Sequence, residues 1–110
     1  VLFRSTAAVA AHSPVHCVLA DEQESLFYLR DGETLHITCE TSPRAISLLS
    51  FTEKCTGVST EGLYWELEGA HISNHSSLAV SNVLARNNTT RSFSVSIERG
   101  ILGVYLCHTE

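Results

Sequence analysis

The sequence predicts an all-β domain that folds as an antiparallel sandwich of two sheets. Apolar and polar residues alternate along several short segments, so each segment has one apolar face and one polar face. Turn-forming residues separate these segments, as at Asp31 and Gly32. No segment combines a sustained helical stripe of apolar residues with end caps. Antiparallel sheets that are covered on one face produce this combination.

Three segments alternate most regularly, and each places three apolar side chains on one face. The three sets expected to face inward are Leu35, Ile37 and Cys39; Leu63, Trp65 and Leu67; and Phe93, Val95 and Ile97. Residues 25–30 and 77–81 are predicted to be two further short strands. Residues 9–20 and 45–51 are ambiguous, and the second range could hold a short helix after Pro43.

Length and composition limit the function classes. The chain has 110 residues, which fits one domain, and 44% of them are hydrophobic. Seven basic and twelve acidic residues give a net charge of −5, which argues against nucleic acid as a partner. No apolar run reaches the roughly 20 residues of a membrane helix, so an anchor is expected only outside this segment. We expect residues 1–14 to be an N-terminal extension and residues 15–110 to form the domain. The extension is expected to be frayed or to form an edge strand, and the alternative is the remnant of a signal peptide.

The cysteines indicate an oxidising compartment. They are even in number, and no two of them form a Cys-x-x-Cys pair, which argues against a zinc ribbon or a redox site. Two structural disulfides are the simplest interpretation, with three possible pairings. The four residues are Cys17, Cys39, Cys55 and Cys107.

Three asparagines begin glycosylation sequons: Asn74, Asn87 and Asn88. The last two sequons overlap, so we expect only one of Asn87 and Asn88 to carry a glycan. Together with the cysteines, the sequons predict a secreted or cell-surface glycoprotein.

Three stretches together resemble the immunoglobulin superfamily. Residues 32–39 are similar to the second core strand of that fold, Tyr64-Trp65 to the third strand, and residues 103–107 to the sixth strand with its corner tyrosine, Tyr105. The resemblance implies a Cys39–Cys107 bridge between the sheets, with Trp65 packed against it. It also implies that the Tyr105 hydroxyl binds a backbone group, and it leaves Cys17 and Cys55 as a second bridge.

The chain departs from that family in several places. The gap from Cys39 to Trp65 is 26 residues, about twice the usual one, so residues 41–61 are interpreted as a long insertion tethered by Cys55. Apolar residues in the insertion are expected to pack back onto the sandwich or to dock on a partner. Ile101 replaces the aspartate that usually precedes the corner tyrosine. Only three residues follow Cys107, so the seventh strand is expected to be trimmed, displaced or replaced by residues 1–11 or by a partner.

The candidate contact face consists of Tyr64, Val104 and Leu106, which point outward if Trp65 and Tyr105 point inward. The alternative is that neighbouring segments cover these side chains. Six histidines show no metal-ligand spacing, and no nucleophile lies beside a base. We therefore expect no metal, no cofactor, no small-molecule substrate and no enzymatic activity.

The resulting hypothesis is an extracellular module that recognises a protein partner. The divergent sequence resembles, in style, the immunoglobulin-like glycoproteins of cytomegaloviruses, which implies immune evasion through binding of host MHC class I or a leukocyte receptor. The alternatives are a host adhesion or allorecognition receptor domain, and a structural spacer domain.

Overall fold

The computed structural model describes residues 9–11, 16–20, 23–39, 41–74 and 82–108. These residues form nine β-strands and no helix. The strands are β1 (Val9–Ala11), β2 (His16–Ala20), β3 (Glu24–Leu29), β4 (Thr34–Cys39), β5 (Ala45–Ser50), β6 (Lys54–Glu61), β7 (Ala70–Ser73), β8 (Ser92–Ser96) and β9 (Leu102–Cys107).

The strands form two antiparallel sheets. One sheet has five strands in the order β1-β4-β8-β6-β7, and the other has four in the order β2-β3-β9-β5. The predicted all-β architecture with two antiparallel sheets is therefore confirmed. β1 lies within the predicted N-terminal extension and pairs with β4 at the edge of the five-stranded sheet, which is the edge-strand alternative. None of the described residues belongs to a helix with the length and hydropathy needed to cross a bilayer.

The core lies between the sheets and follows the alternation seen in the sequence. In the five-stranded sheet Leu35 pairs with Val95 and Ile37 with Phe93, and all four side chains are buried. Apolar cross-strand pairs on the core face, alternating with polar pairs on the other face, stabilise a sheet that is covered on one side. The buried apolar residues of the four-stranded sheet are Phe27, Leu29, Ile46, Leu48, Leu102, Val104 and Leu106.

The residues predicted as an insertion are largely two regular strands. β5 pairs with β9 in one sheet, and β6 pairs with β7 and β8 in the other. The expectation of an irregular tethered loop over residues 41–61, and of a short helix after Pro43, is therefore wrong. A register shift between Cys55 and Val58 hid the strand pattern of β6, because both of these residues face the core although three positions separate them. Gly57 lies at this bulge with φ of +65°, a backbone conformation that favours glycine.

β9 has the opposite phase from the predicted one. Leu102, Val104 and Leu106 are buried, while Tyr105 and Cys107 are only partly covered. A one-residue change of phase exchanges the two faces of a strand, and apolar residues at consecutive positions of β9 made both phases compatible with the sequence. β9 also lies between β3 and β5, so the expected vacancy for a seventh strand beside it does not exist.

No disulfide joins any two of the four cysteines in the structure, so neither predicted bridge is present in it. Cys39 is buried at the end of β4, whereas Cys107 lies in the other sheet on the outward phase of β9. Cys17 is exposed on the edge strand β2. Cys55 is fully buried in β6, and its thiol donates to the carbonyl oxygen of Ile101 at 3.3 Å. In each predicted pair, one cysteine is therefore buried in the core and the other is at least partly exposed.

Candidate functional site

Two large aromatic side chains project from one loop into solvent. Tyr64 is 47% exposed and Trp65, the one tryptophan of the chain, is 59% exposed. Their ring centroids lie 4.6 Å apart with the planes inclined by 68°, which is an edge-to-face contact. Aromatic rings of this size are normally buried, and exposed ones are common where a protein binds a ligand or partner. This pair is therefore the candidate site.

The loop that carries the pair is closed by its own hydrogen bonds. We call residues 62–67, which form most of the connection between β6 and β7, the aromatic loop. Gly62 opens it with φ of +91°, and its N–H donates to the Glu66 carboxylate at 2.8 Å. At the other end, the N–H of Leu67 donates to the buried hydroxyl oxygen of Thr60 at 2.9 Å. These bonds give the loop one defined conformation.

A second segment, residues 82–85, pairs with the aromatic loop, and we call it the clamp segment. The Tyr64 N–H donates to the Val83 carbonyl at 2.8 Å, and the Ala85 N–H donates to the Gly62 carbonyl at 2.9 Å. At its start, Asn82 exchanges two backbone hydrogen bonds of 2.7 Å with Ile46 of β5. The clamp segment therefore connects the end of β6 in one sheet with β5 in the other.

The Asn82 side chain binds the main chain of Trp65 from both sides. Its Oδ1 accepts from the Trp65 N–H at 3.1 Å, and its Nδ2 donates to the Trp65 carbonyl at 2.7 Å. The same Oδ1 also accepts from the Val83 N–H at 2.9 Å. Asn82 is only 4% exposed, so these bonds are shielded from water.

A groove of about 310 Å³ lies along the two rings and the clamp segment. The guanidinium carbon of Arg86 lies 5.9 Å from the centroid of the Tyr64 ring, within the range of a cation–π contact. The Arg86 guanidinium thus contacts the Tyr64 ring. Trp65 is more exposed than Tyr64, so it offers the larger accessible aromatic surface. The groove is lined by Tyr64, Trp65, Val83, Leu84 and Arg86.

A larger polar groove of about 650 Å³ adjoins the aromatic loop on the outer face of the five-stranded sheet. It shares Gly62 and Glu66 with that loop, and Glu61 also lines it. Asn88 closes one side, because its Nδ2 donates to the carbonyl oxygens of Gly62 and Ser92 at 2.9 and 2.6 Å. Glu61 and Glu66 thus supply two carboxylates to the groove next to the aromatic loop, and carboxylates attract a positively charged ligand. The described residues contain no cluster of three or more His, Cys, Asp or Glu that could hold a metal ion.

A family model that matches more than half of the chain identifies the family. A family model described as "Thiamin pyrophosphokinase, vitamin B1 binding domain" matches residues 33–102. The chain belongs to this family. The matched range includes β4, the aromatic loop and the clamp segment.

Solved thiamin pyrophosphokinases have the same fold. The Bacillus subtilis protein superposes with a TM-score of 0.73 at 22% identity, over 89% of this chain and 43% of its own. The Geobacillus thermodenitrificans protein gives 0.69 at 23% identity, over 83% and 40%. The yeast protein gives 0.57 at 18% identity, over 82% and 29%. This chain thus spans less than half the length of these relatives. No curated protein matches it.

Membership in this family corrects the functional hypothesis. The chain is not an immunoglobulin-superfamily domain, and the interpretation as a viral or host surface-recognition module is wrong. The expectations of a protein partner, of no small-molecule substrate and of no enzymatic activity are wrong too, since the matching family is described as the vitamin B1 binding domain of thiamin pyrophosphokinase, which is an enzyme. Unrelated β-sandwiches share short strands, an even number of cysteines and the order Cys–Trp–Cys along the chain. These features therefore did not discriminate between families.

The predicted contact residues do not form one face. Tyr64 lies in the aromatic site, but Val104 and Leu106 are completely buried between the sheets. Trp65 was expected in the core and is instead exposed, because the aromatic loop does not continue the alternation of a strand. Tyr105 is partly covered, and its hydroxyl donates to a Glu24 carboxylate oxygen at 3.3 Å.

The three sequon asparagines differ in their surroundings. Asn74 and Asn87 are exposed, whereas the Asn88 amide is committed to the two carbonyl oxygens of the polar groove. A glycan on Asn88 would replace one hydrogen of that amide, so Asn87 is the better acceptor of the overlapping pair. Glycosylation and a secretory location stay predictions. The strand predicted for residues 77–81 lies outside the described residues.

Sequence reasoning did not single out Asn82, Glu66 or Arg86. The available signal was Gly62, since a glycine directly before an apolar run is a reason to expect a turn rather than a continuing strand. Two adjacent aromatic residues after that turn could then have been interpreted as a surface pair. Nothing in the sequence pattern predicts that a side chain 17 positions away holds the Trp65 main chain.

Proposed function

We propose that this chain is the thiamin-binding domain of a thiamin pyrophosphokinase, and that it binds the rings of thiamin on the surface formed by Trp65 and Tyr64. The observation that carries the proposal is the exposed aromatic pair on a hydrogen-bonded loop, inside the range that the vitamin-binding family model matches. The proposed role is to present the vitamin for transfer of a diphosphoryl group.

The chemistry of thiamin suits this surface. Thiamin consists of a flat aminopyrimidine ring and a positively charged thiazolium ring joined by a methylene group. Flat rings stack on exposed aromatic side chains, and cations are attracted to the faces of tryptophan and tyrosine. A cation stacked on an aromatic face gains about 0.5–2 kcal/mol, depending on how much water is excluded.

Charge near the loop supports a cationic ligand. Glu66 belongs to the aromatic loop, Glu61 ends β6 immediately before it, and both line the adjoining groove. The net charge of −5 adds a long-range attraction for cations. Arg86 beside Tyr64 is the opposing charge, which favours Trp65 as the partner of the thiazolium ring.

Titration of the 110-residue chain with thiamin tests the proposal. Because Trp65 is the one tryptophan, its fluorescence reports on the site without labelling. We expect saturable quenching, a matching calorimetric Kd, and about 5-fold to 30-fold weaker binding in Trp65→Ala, equivalent to about 1–2 kcal/mol. Trp65→Phe should retain most of the affinity.

A matched control is Phe51→Leu, which alters another exposed aromatic residue outside the groove. Its affinity for thiamin should equal that of the unaltered chain. A thiazolium salt and a neutral aminopyrimidine, titrated separately, should show which ring contributes more. Folded chain that leaves thiamin unbound at millimolar concentration, or Trp65→Ala that binds as well as Phe51→Leu, would contradict the proposal.

A further inference from the structure

The Asn82 side chain makes contacts that differ from those of its own backbone. Its backbone N–H and carbonyl bind Ile46 of β5 at 2.7 Å each, and these bonds join the clamp segment to the four-stranded sheet. Its amide group instead binds Trp65 and Val83. A substitution that shortens the side chain removes only the second set. The two contributions are therefore experimentally separable.

Only an amide of this length can hold the Trp65 peptide in this way. Oδ1 offers an acceptor and Nδ2 a donor, which together match the N–H and carbonyl of one residue. The arrangement imitates the paired hydrogen bonds that a neighbouring β-strand would supply. An aspartate would keep the acceptor but place an anionic oxygen against the Trp65 carbonyl, and an alanine would supply neither group.

Trp65 depends on this contact because its ring is largely in water. With 59% of the residue exposed, core packing does not fix the indole. The Tyr64 ring supports it from one side, and Tyr64 is itself held through its N–H by Val83. Asn82 binds both Trp65 and the Val83 N–H, so one buried amide fixes the main chain beneath both rings.

We propose that the Asn82 side chain is a positioning residue for the aromatic site, holding the Trp65 main chain so that the indole has its binding orientation before the ligand arrives. This inference rests on the proposed function for the identity of the ligand. Preorganisation strengthens binding because the free energy of ordering the loop is supplied on folding rather than on association. The orientation of Trp65 itself can be measured without any ligand.

The test compares Asn82→Ala and Asn82→Asp with Ile97→Ala. Ile97 is buried in the core directly after β8 and lines neither the aromatic groove nor the polar groove, so its variant controls for lost stability without altering the site. In the absence of ligand, we expect both Asn82 variants to lose near-ultraviolet circular dichroism in the tryptophan and tyrosine bands. They should also show lower fluorescence anisotropy of Trp65. Ile97→Ala should melt at a lower temperature but keep both signals.

With thiamin as the probe, the Kd of Asn82→Ala should rise at least about tenfold, the equivalent of one to two lost hydrogen bonds. That of Ile97→Ala should stay within about twofold. Unchanged optical signals in folded Asn82→Ala would overturn the inference. If the unaltered chain does not bind thiamin, the proposed function fails, while the ligand-free signals still decide whether Asn82 positions Trp65.

Amide hydrogen exchange in the unaltered chain gives a result that needs no variant. The Trp65 N–H lies in an exposed loop, yet it donates to a buried acceptor. We therefore expect its exchange to be slowed to the level of Tyr64, whose N–H binds a backbone carbonyl. Exchange at the rate of an unprotected loop amide would overturn the inference even if neither Asn82 variant folds.

Discussion

Thr60 and Leu67 hold each other through two hydrogen bonds across the neck of the aromatic loop. The Thr60 N–H donates to the Leu67 carbonyl at 3.0 Å, and the Leu67 N–H donates to the Thr60 hydroxyl oxygen at 2.9 Å. Thr60 faces the core beside Val95, so its hydroxyl is a buried polar group with a defined partner. The loop that presents Trp65 is thus anchored inside the sandwich.

Thr60→Val should therefore destabilise the domain. Valine has nearly the same shape but lacks the acceptor, which leaves the Leu67 N–H without its partner and costs about 1–3 kcal/mol in the free energy of unfolding. Thr60→Ser keeps the hydroxyl and should lose less. Urea unfolding followed by circular dichroism measures both changes. Equal stability of the valine and serine variants would show that the side-chain hydrogen bond contributes nothing.

The phase of β9 leads to a second prediction. Leu106 is completely buried and Tyr105 is on the outward phase of the same strand. We expect Leu106→Ala to cost about 2–5 kcal/mol, since it removes buried methyl groups and leaves a cavity. Tyr105→Ala should cost clearly less. Thermal or urea unfolding of the two variants measures the order, and the opposite order would place Tyr105 rather than Leu106 in the core.

The surroundings of the Glu33 carboxyl predict that the stability of the domain depends on pH. Burial acts to raise the pKa of this carboxyl, but it is outweighed by the hydrogen bonds from the Arg30 N–H and from His16, together with the charges of His16 and Arg30. The pKa therefore lies below its ordinary value of 4.5. The bonded atoms are 2.6 Å apart for Arg30 and 3.1 Å apart for His16.

A lowered pKa means that the folded state favours the ionised carboxylate. Its contribution to stability is complete above pH 4.5 and is lost as the pH falls through the folded-state value. Glu33→Gln should therefore be less stable than the unaltered chain near neutral pH, and the difference should shrink in acid. Urea unfolding across this range measures it, with exposed Glu68→Gln as the control. A difference that stays constant with pH would contradict the assignment.

Thiol reactivity tests the state of the cysteines. Burial raises the pKa of the Cys39 thiol to about 11, with a smaller opposing effect of Arg91, so little reactive thiolate forms at neutral pH. Cys17 is exposed, and although burial raises its pKa somewhat, reagents reach it. We expect Ellman's reagent to label Cys17 first in the native chain, and Cys39 and Cys55 only after unfolding.

Four thiols should be counted in denaturant without reductant. Cys17→Ser should remove the first labelling phase and leave three. A count of zero or two would show that disulfides form after all, and peptide mapping would then identify the pairs.

The local pattern in the sequence predicts part of this fold correctly. Leu35, Ile37, Phe93 and Val95 were placed in the core by alternation alone, because each polar neighbour in those strands faces solvent. In β9 the apolar residues follow one another, so alternation could not choose between its faces. The pairing of β9 with β3 joins residues from nearly opposite ends of the chain, as between Glu24 and Cys107. No local pattern encodes such a contact.

The candidate site was harder to predict for a related reason. Its aromatic residues were visible in the sequence, but Trp65 followed Leu63 at strand spacing and was assigned to the core. What places it in solvent is a set of hydrogen bonds made by Asn82 and Glu66 to backbone groups. Hydrogen bonds from side chains to backbone leave almost no trace in hydropathy, whereas they decide the local structure of a loop.

The clamp segment, residues 82–85, has a consequence for how this domain responds to heat. Because it pairs with the aromatic loop on one side and with β5 on the other, the two sheets cannot separate at this end while the loop stays intact. A small molecule held by the loop would therefore oppose melting of the whole sandwich. At a free concentration one hundred times its Kd, such a ligand adds about 2.7 kcal/mol to the free energy of unfolding. Under the proposed function, the concentration of free thiamin would shift the folding equilibrium through these four residues.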